Sequence, residues 1–319
     1  MIAVIGAGAF GTGLAVALAR KHEVRLWARN PDHVAAMRAD RANHARLPGI
    51  ALPERVVPTQ DLALAAEAEI LLLALPMQQL SGMLTDHAGR FAGKVLVATC
   101  KGLDLDSLAG PVDLIERRLP GCRAAQLTGP SFASEIAEGK PTALTLAARD
   151  PALGRALQEA LTTPTLRLYR STDVIGAQLG GALKNVIAIA AGVVIGAGLG
   201  ASARAALITR GFAEMQNLAG ALGAEPETLA GLSGLGDLIL TCTSEQSRNY
   251  SFGQALGRGE HFASTITVEG TATARAAHRL AGQHGLDMPV LAAVVAVLED
   301  PGALNDTIDA LLSRPLKPE

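Results

Sequence analysis

Aromatic residues are scarce in this chain, at 3% of its 319 residues. Proteins that grip single-stranded nucleic acids stack bases on aromatic faces, and this sequence has few to offer. Basic charge is not in excess either: 28 Lys and Arg stand against 30 Asp and Glu, a net charge of −2. A nucleic-acid binder needs a basic footprint for the phosphate backbone, so no nucleic-acid partner is expected. Any anionic ligand must be held by a local arrangement of donors.

Cysteine is also rare, with only Cys100, Cys122 and Cys242. The count is odd and no CxxC pair occurs, so no disulfide framework is expected, in keeping with a reducing compartment. The seven histidines show no HExxH or related spacing, so no metal site is expected. Met1-Ile-Ala-Val-Ile-Gly6 has no basic start and runs straight into a strand-like segment. No secretory leader is expected, and the cytoplasm is the expected location. Charge is absent from Val186 to Ala203, long enough to suggest a membrane span. Yet Gly192, Gly196, Gly198 and Gly200 interrupt that run, its residues are mostly small, and Lys184 and Asn185 stand at its start. A buried helix fits it better than membrane insertion. Such small-residue helices also make a homodimer the expected assembly.

Apolar residues are plentiful, at 49% of the chain, enough for about two domains of roughly 150 residues each. Short apolar runs alternate with helical stretches over the first ~165 residues. Strands are expected at Ile2–Ile5, Glu23–Ala28, Glu69–Leu75, Lys94–Thr99, Ala124–Thr128 and Thr142–Ala147. Helices are expected at Phe10–Arg20 and Pro111–Arg118. That alternation predicts an α/β domain with a mostly parallel sheet covered on both faces. Beyond Tyr169 the pattern becomes all-helical, with helices expected at Asp173–Ala197, Arg204–Leu222, Thr271–Gly285 and Pro289–Glu299. The expected domains are residues 1–170, of Rossmann type, and residues 171–319, all helical. The tail from Ser313, with two prolines, is expected to fray.

Gly6-Ala-Gly8-Ala9-Phe10-Gly11 is a GxGxxG turn between an apolar strand and a helix, the context dinucleotide binding requires. Gly6 permits the tight turn, Gly8 lets the backbone approach a pyrophosphate, and Gly11 lets the helix pack on the strand. The helix N-terminus offers free N–H groups and partial positive charge to the phosphates. At the end of the second strand an acidic residue would bind the ribose hydroxyl of NAD. Ala28-Arg29-Asn30 stands there instead, and Arg29 suits a 2′-phosphate. NADP(H) is therefore the preferred cofactor, with NAD(H) the second candidate.

Reduction of a ketone needs a group that stabilises the developing alkoxide and delivers a proton. No histidine has a convincing setting, but Lys101 and Lys184 do. Lys101 directly follows a predicted strand, and ligands bind at the carboxyl ends of such strands. Lys184 enters the uncharged helix, where an ammonium is costly unless it faces a polar cavity. If the two ammonium groups lie close, each lowers the other's pKa, which suits Lys184 as general acid or base. Gly129-Pro-Ser131-Phe-Ala133 reads as a site-building turn. Ser247-Arg248-Asn249-Tyr-Ser251 places hydroxyl, guanidinium and amide groups at a helix start, which suits a substrate phosphate.

Taken together, GAGAFGTGLA at 6–15, CKGL at 100–103, GPSFASEIA at 129–137, ALKNVIAIAAG at 182–192, GLGDLILTCTSEQSRN at 234–249 and VEG at 268–270 resemble the bacterial glycerol-3-phosphate dehydrogenases that use NAD(P)+. The resemblance runs from Ile2 to about Leu311. It implies a Rossmann domain followed by a helical domain, and interconversion of dihydroxyacetone phosphate and sn-glycerol 3-phosphate for phospholipid synthesis. It implies that Lys184 is the catalytic lysine and that Lys101 contacts both substrate and cofactor. Gly129 and Ser131 match substrate positions. Asp237 matches a substrate-site aspartate that orients Lys184, with Thr241 nearby and Asn185 beside it. Ser247, Arg248 and Asn249 match the loop for the substrate's phosphate and glycerol, with Arg248 also near the cofactor. Ala9, Phe10, Arg29, Ala133 and Glu269 match cofactor positions. The chain departs from the pattern in two places. Tyr250-Ser251-Phe252 stand where relatives often carry more basic residues, and Arg29 stands where they often carry histidine. Both bear on cofactor preference and substrate affinity.

Two other readings compete. The β-hydroxy-acid dehydrogenases pair a lysine with an asparagine four residues on, whereas Ala188 holds that position here and Asn185 is adjacent; a ketopantoate reductase is the neighbouring alternative. A non-catalytic NADPH sensor would lack the polar set formed by Lys101, Lys184, Asp237 and Arg248.

Overall fold

The computed structural model describes residues 1–262 and 267–313. Of the tail from Ser313 that is expected to fray, residues 314–319 lie outside the described residues. The chain divides into two compact units, Met1–Lys101 with Ala109–Gln178, and Gly102–Leu108 with Leu179–Glu319. This divide falls later than the expected one after residue 170. The first turns of the helix Val174–Gly196 explain the difference. Val174 and Ala177 are buried in a core cluster of the first unit. The Gln178 carboxamide accepts from the Val112 N–H at 2.7 Å and donates to Asp113 at 3.0 Å. Residues 102–108 go the other way because Arg279 donates to the Leu105 carbonyl at 2.7 Å.

The first unit is built on β1 (Ile2–Ile5), β2 (Val24–Trp27), β3 (Ala42–Asn43), β4 (Leu47–Ala51), β5 (Val56–Thr59), β6 (Ile70–Leu73), β7 (Val95–Ala98), β8 (Arg123–Thr128), β9 (Thr142–Ala147) and β10 (Leu166–Ser171). Eight of these form one sheet in the order β10-β9-β8-β7-β6-β1-β2-β5, while β3 and β4 pair separately. Every pairing in the large sheet is parallel except β8 with β9. The strand order runs outward in both directions from β1. In a doubly wound sheet the crevice at that reversal is where a dinucleotide binds. Period-two geometry explains why β1 is wholly apolar: Ile2 and Val4 enter the core on one face, Ala3 and Ile5 the core on the other.

The sequence did not suggest the two outer strands. β5 contains Pro58 and exposes Val57, features that belong at a sheet edge. β10 alternates Leu166 and Leu168, buried, with Arg167 and Tyr169, exposed, at the opposite edge.

Among the described residues of the second unit all regular structure is helical. It includes Gly200–Ala221, Asp237–Thr243, Arg248–Gly257, Glu269–Gln283, Pro289–Glu299 and Leu304–Leu312. Val174–Gly196 is long and apolar enough to cross a membrane, but 83% of its most apolar window is buried. Its glycines show what it packs against. A Cβ on Gly192 or Gly196 would overlap the carbonyl oxygens of Tyr250 and Gln254. A Cβ on Gly253 or Gly257 would overlap those of Ile189 and Val193. Each helix thus carries a GxxxG stripe that meets the other's backbone, the geometry small residues allow.

Candidate active site

In the glycine turn after β1, Gly6 has φ +120°, a conformation that favours glycine, and a Cβ there would overlap the Ala74 carbonyl oxygen. A Cβ on Gly11 would overlap the Gly6 carbonyl oxygen. Gly8 differs: no atom lies within 4 Å of where its Cβ would be. Here the glycine leaves an open cradle over the backbone. The helix Ala9–Leu18 starts beside it with no side-chain cap and no acidic residue in its first turn. A phosphate fits such a helix start, where N–H groups await an acceptor. Phe10 is half-buried against the core on that side of the sheet. Arg29 is exposed just past β2, and the next residue, Asn30, caps the helix Pro31–Asp40 by accepting from the His33 N–H.

Further along the carboxyl edge of the sheet, Lys101 follows β7 and donates to the Gly129 carbonyl at 3.3 Å. The Ser131 hydroxyl donates to the same oxygen at 3.1 Å. Gly129 has φ +135° and packs 3.2 Å, by its would-be Cβ, from the Leu144 Cα. Gln126, which sequence reasoning missed, holds the base of the lysine loop by donating to the Cys100 carbonyl at 3.1 Å. Ala133 opens the helix Ala133–Glu138, and its carbonyl sits 2.6 Å from where a Gly13 Cβ would be. The Gly129–Ala133 turn therefore lies against the helix that follows the glycine turn.

In the second unit, Lys184 is buried and donates to Asp237 Oδ1 at 2.5 Å and to Thr241 Oγ1 at 2.7 Å. The Thr241 hydroxyl in turn donates a hydrogen bond to the Asp237 carbonyl one helical turn back, at 2.6 Å. Asp237 follows a π-helical turn, Leu232–Gly236, a distortion that often marks functional sites. Cys242 lies in the same cluster. Burial, above all, pushes its thiol up to about 12, with the Asp237 carboxylate adding to the shift and the charges of Lys184 and Arg204 opposing it. It stays a neutral thiol at physiological pH and is no nucleophile.

Asn185 extends the polar set. Its Oδ1 accepts from Asn249 Nδ2 at 2.9 Å, and Asn249 Oδ1 accepts from the Gly270 N–H at 2.9 Å. Gly270 leaves no room for a side chain, since a Cβ would lie 2.7 Å from Asn249 Oδ1. Glu269 is thereby placed beside this pair, at the start of its helix. Ser247 caps the helix Arg248–Gly257 by accepting from the Tyr250 N–H at 3.2 Å, and Arg248 projects, exposed, from the first turn. Arg204 donates to the Tyr250 hydroxyl at 3.0 Å. Nothing in the spacing of Arg204 and Tyr250 signalled this contact, because helix packing alone creates it.

A doubly wound sheet with an open glycine cradle, followed by a helical unit with a buried lysine–carboxylate pair, defines a two-unit dinucleotide-dependent dehydrogenase. The family described as NAD-dependent glycerol-3-phosphate dehydrogenase matches in both of its parts, the N-terminus over residues 1–154 and the C-terminus over residues 173–309. A glycerol-3-phosphate dehydrogenase [NAD(P)+] of Cereibacter sphaeroides is 60% identical over 319 residues, covering 100% of both chains. One from a Ruegeria species is 57% identical over 318 residues, 100% of this chain and 99% of the relative. A crystal structure of glycerol-3-phosphate dehydrogenase from Coxiella burnetii is similar with a TM-score of 0.93 at 37% identity, covering 98% of each chain. The chain belongs to the NAD-dependent glycerol-3-phosphate dehydrogenase family.

Proposed function

We propose that this enzyme works as a reductase, taking dihydroxyacetone phosphate to sn-glycerol 3-phosphate with Lys184 as the proton donor. The underlying activity, NAD(P)-dependent glycerol-3-phosphate dehydrogenation, follows from its family. The observation that carries the mechanism is the buried contact of Lys184 with Asp237 and Thr241.

When bound, the dinucleotide supplies a hydride to the carbonyl carbon. The chain's residues handle the charge and the proton. Negative charge develops on the carbonyl oxygen, and the Lys184 ammonium offsets it and then gives up a proton to form the hydroxyl. Solvent restores that proton. In oxidation the same amine, neutral, accepts the proton from the hydroxyl. Asp237 and Thr241 hold the Nζ in one place, so little reorganisation accompanies the transfer.

Gly6, Gly8, Ala9, Phe10 and Gly11 are the proposed cradle for the pyrophosphate, with Lys101, Ala133, Arg248 and Glu269 as further cofactor contacts. Arg29 supports a preference for NADPH over NADH. Lys101, Gly129, Ser131, Ser247, Arg248 and Asn249 are the proposed substrate contacts. The guanidinium and the capped helix start suit a phosphate dianion. A cytoplasmic homodimer with no membrane insertion, supplying phospholipid synthesis, completes the reading. The decisive experiment is NADPH oxidation with dihydroxyacetone phosphate, repeated with NADH and with ketopantoate. Rapid turnover with the triose phosphate supports the proposal; turnover with ketopantoate alone overturns it.

A further inference from the structure

Asn43 plays no part in the mechanism above, yet it is almost wholly buried and its carboxamide is fully used. It sits in β3, next to a register shift in the small β3–β4 pair and just after Arg41, which is left-handed at φ 48°. Its amide does not serve that local hairpin. Nδ2 donates to the Ala7 carbonyl at 3.0 Å and to the Thr12 hydroxyl at 2.8 Å. Its Oδ1 faces His33 Nε2 at 2.8 Å, which makes that ring nitrogen the donor. His33 is in turn held at its own N–H by Asn30, the residue after Arg29.

Both residues that Asn43 grips belong to the dinucleotide turn: Ala7 lies inside it, and Thr12 is buried in the first turn of its helix. The Ala7 carbonyl and the Gly8 N–H share one planar trans peptide and point in opposite directions. Fastening the carbonyl to Asn43 therefore turns the Gly8 N–H away from Asn43. Gly8 is also open where a side chain would stand: apart from its chain neighbours, nothing lies within 4 Å of its would-be Cβ, which leaves a ligand room to approach this stretch of backbone.

We propose that Asn43, locked by His33, is a positioning residue that sets the Ala7–Gly8 peptide so that the Gly8 N–H faces the cofactor's pyrophosphate. Pre-setting that peptide spares the cofactor the cost of ordering it on binding. The inference rests on the dehydrogenase reading of the site. It also links the pyrophosphate turn to the segment that carries Arg29, through Asn43, His33 and Asn30.

The test is direct binding of NADPH, followed by its fluorescence, to Asn43→Ala, His33→Ala and the unaltered enzyme, with steady-state kinetics alongside. Asn43→Ala is expected to weaken NADPH binding roughly tenfold. Its kcat at saturating NADPH and its KM for dihydroxyacetone phosphate stay within about twofold of the parent's. His33→Ala moves the dissociation constant in the same direction by about threefold, because Asn43 keeps its grip on Ala7 but loses its lock. A merely structural role would lower the melting temperature and leave the dissociation constant alone. Should Asn43→Ala fail to fold, the half-buried His33 site supplies the answer by itself. NADPH affinity within about twofold of the parent's in every folded variant overturns the inference. If the unaltered enzyme binds neither NADPH nor NADH, the dehydrogenase reading falls first and this inference with it.

Discussion

Lys184 and Asp237 stand 53 residues apart in the chain, yet Nζ and Oδ1 meet at 2.5 Å with side chains 7% and 0% exposed. Removing either partner strands a buried charge, which costs about 3–5 kcal/mol. Lys184→Met keeps the volume of the side chain and removes the proton donor. Its kcat is expected to fall by roughly a hundredfold or more, while NADPH binding stays nearly intact. Asp237→Asn keeps the lysine and loses the carboxylate, so it should lower both kcat and the urea midpoint. Near-normal turnover by Lys184→Met would end the proposed role.

Cofactor preference can be tested at Arg29. A charge-assisted bond to a 2′-phosphate contributes about 1.5–3 kcal/mol, so Arg29→Ala should raise KM for NADPH by tenfold or more. KM for NADH should stay where it is, since NADH has no phosphate for the arginine to hold. Equal changes for both cofactors would remove Arg29 from the specificity argument.

Backbone contact between two helices makes Gly253 a sensitive position. A Cβ there would overlap the Ile189 carbonyl oxygen, and backbone cannot swing aside as a flexible side chain can. Gly253→Ala is expected to cost about 3 kcal/mol, read as a lower urea midpoint. The same helix starts at Arg248 and holds Ser247 and Asn249 at its head, so KM for dihydroxyacetone phosphate should rise as well. An unchanged midpoint would mean that the two helices separate without cost.

Cys242 gives a pH prediction. Its thiol rises in the folded protein from an ordinary value of 9.0 to about 12, mainly through burial. Between those values the folded state holds a proton that the unfolded state has lost, so stability falls as pH rises. The contribution is fully present below about pH 9 and is lost as pH climbs toward about 12. Urea unfolding across that range should show a steeper loss for the parent than for Cys242→Ala. At pH 8, iodoacetamide should label the half-exposed Cys122 and spare the buried Cys100 and Cys242. Fast labelling of Cys242 in folded protein would contradict this.

Much of the first unit was legible before folding. The GxGxxG turn, the central strands and the strand-to-Lys101 junction are local patterns that depend on neighbours in sequence. The outer strands were not legible: Pro58 weakens the β5 signal, and the charged residues of β10 hide its alternation. The uncharged run at 186–203 is a buried helix only in part: residues 186–194 are buried in the helix Val174–Gly196, whereas residues 198–202 are exposed. The reason for the buried part lies in three dimensions, in the reciprocal fit of Gly192 and Gly196 with Gly253 and Gly257. The helix Gly200–Ala221 begins four residues before the expected Arg204, because Gly200 and the alanines after it carry no periodic apolar signal.

The sequence by itself determined that a GxGxxG turn joins an apolar strand to a helix, that Arg29 and not an acidic residue follows the second strand, and that Lys101 directly follows a strand and Lys184 enters an uncharged helix. Those facts depend on residue type and short spacing, which folding does not alter. Residue type and spacing left the partner of Lys184 open, the family resemblance implied Asp237, and the fold brings the two together. Tertiary structure alone decided which backbone the glycine stripes touch and that Asn43 reaches back 36 residues to grip Ala7. Such contacts join distant segments whose approach is set by core packing, and hydrogen bonds of this kind have no periodic signature in a sequence.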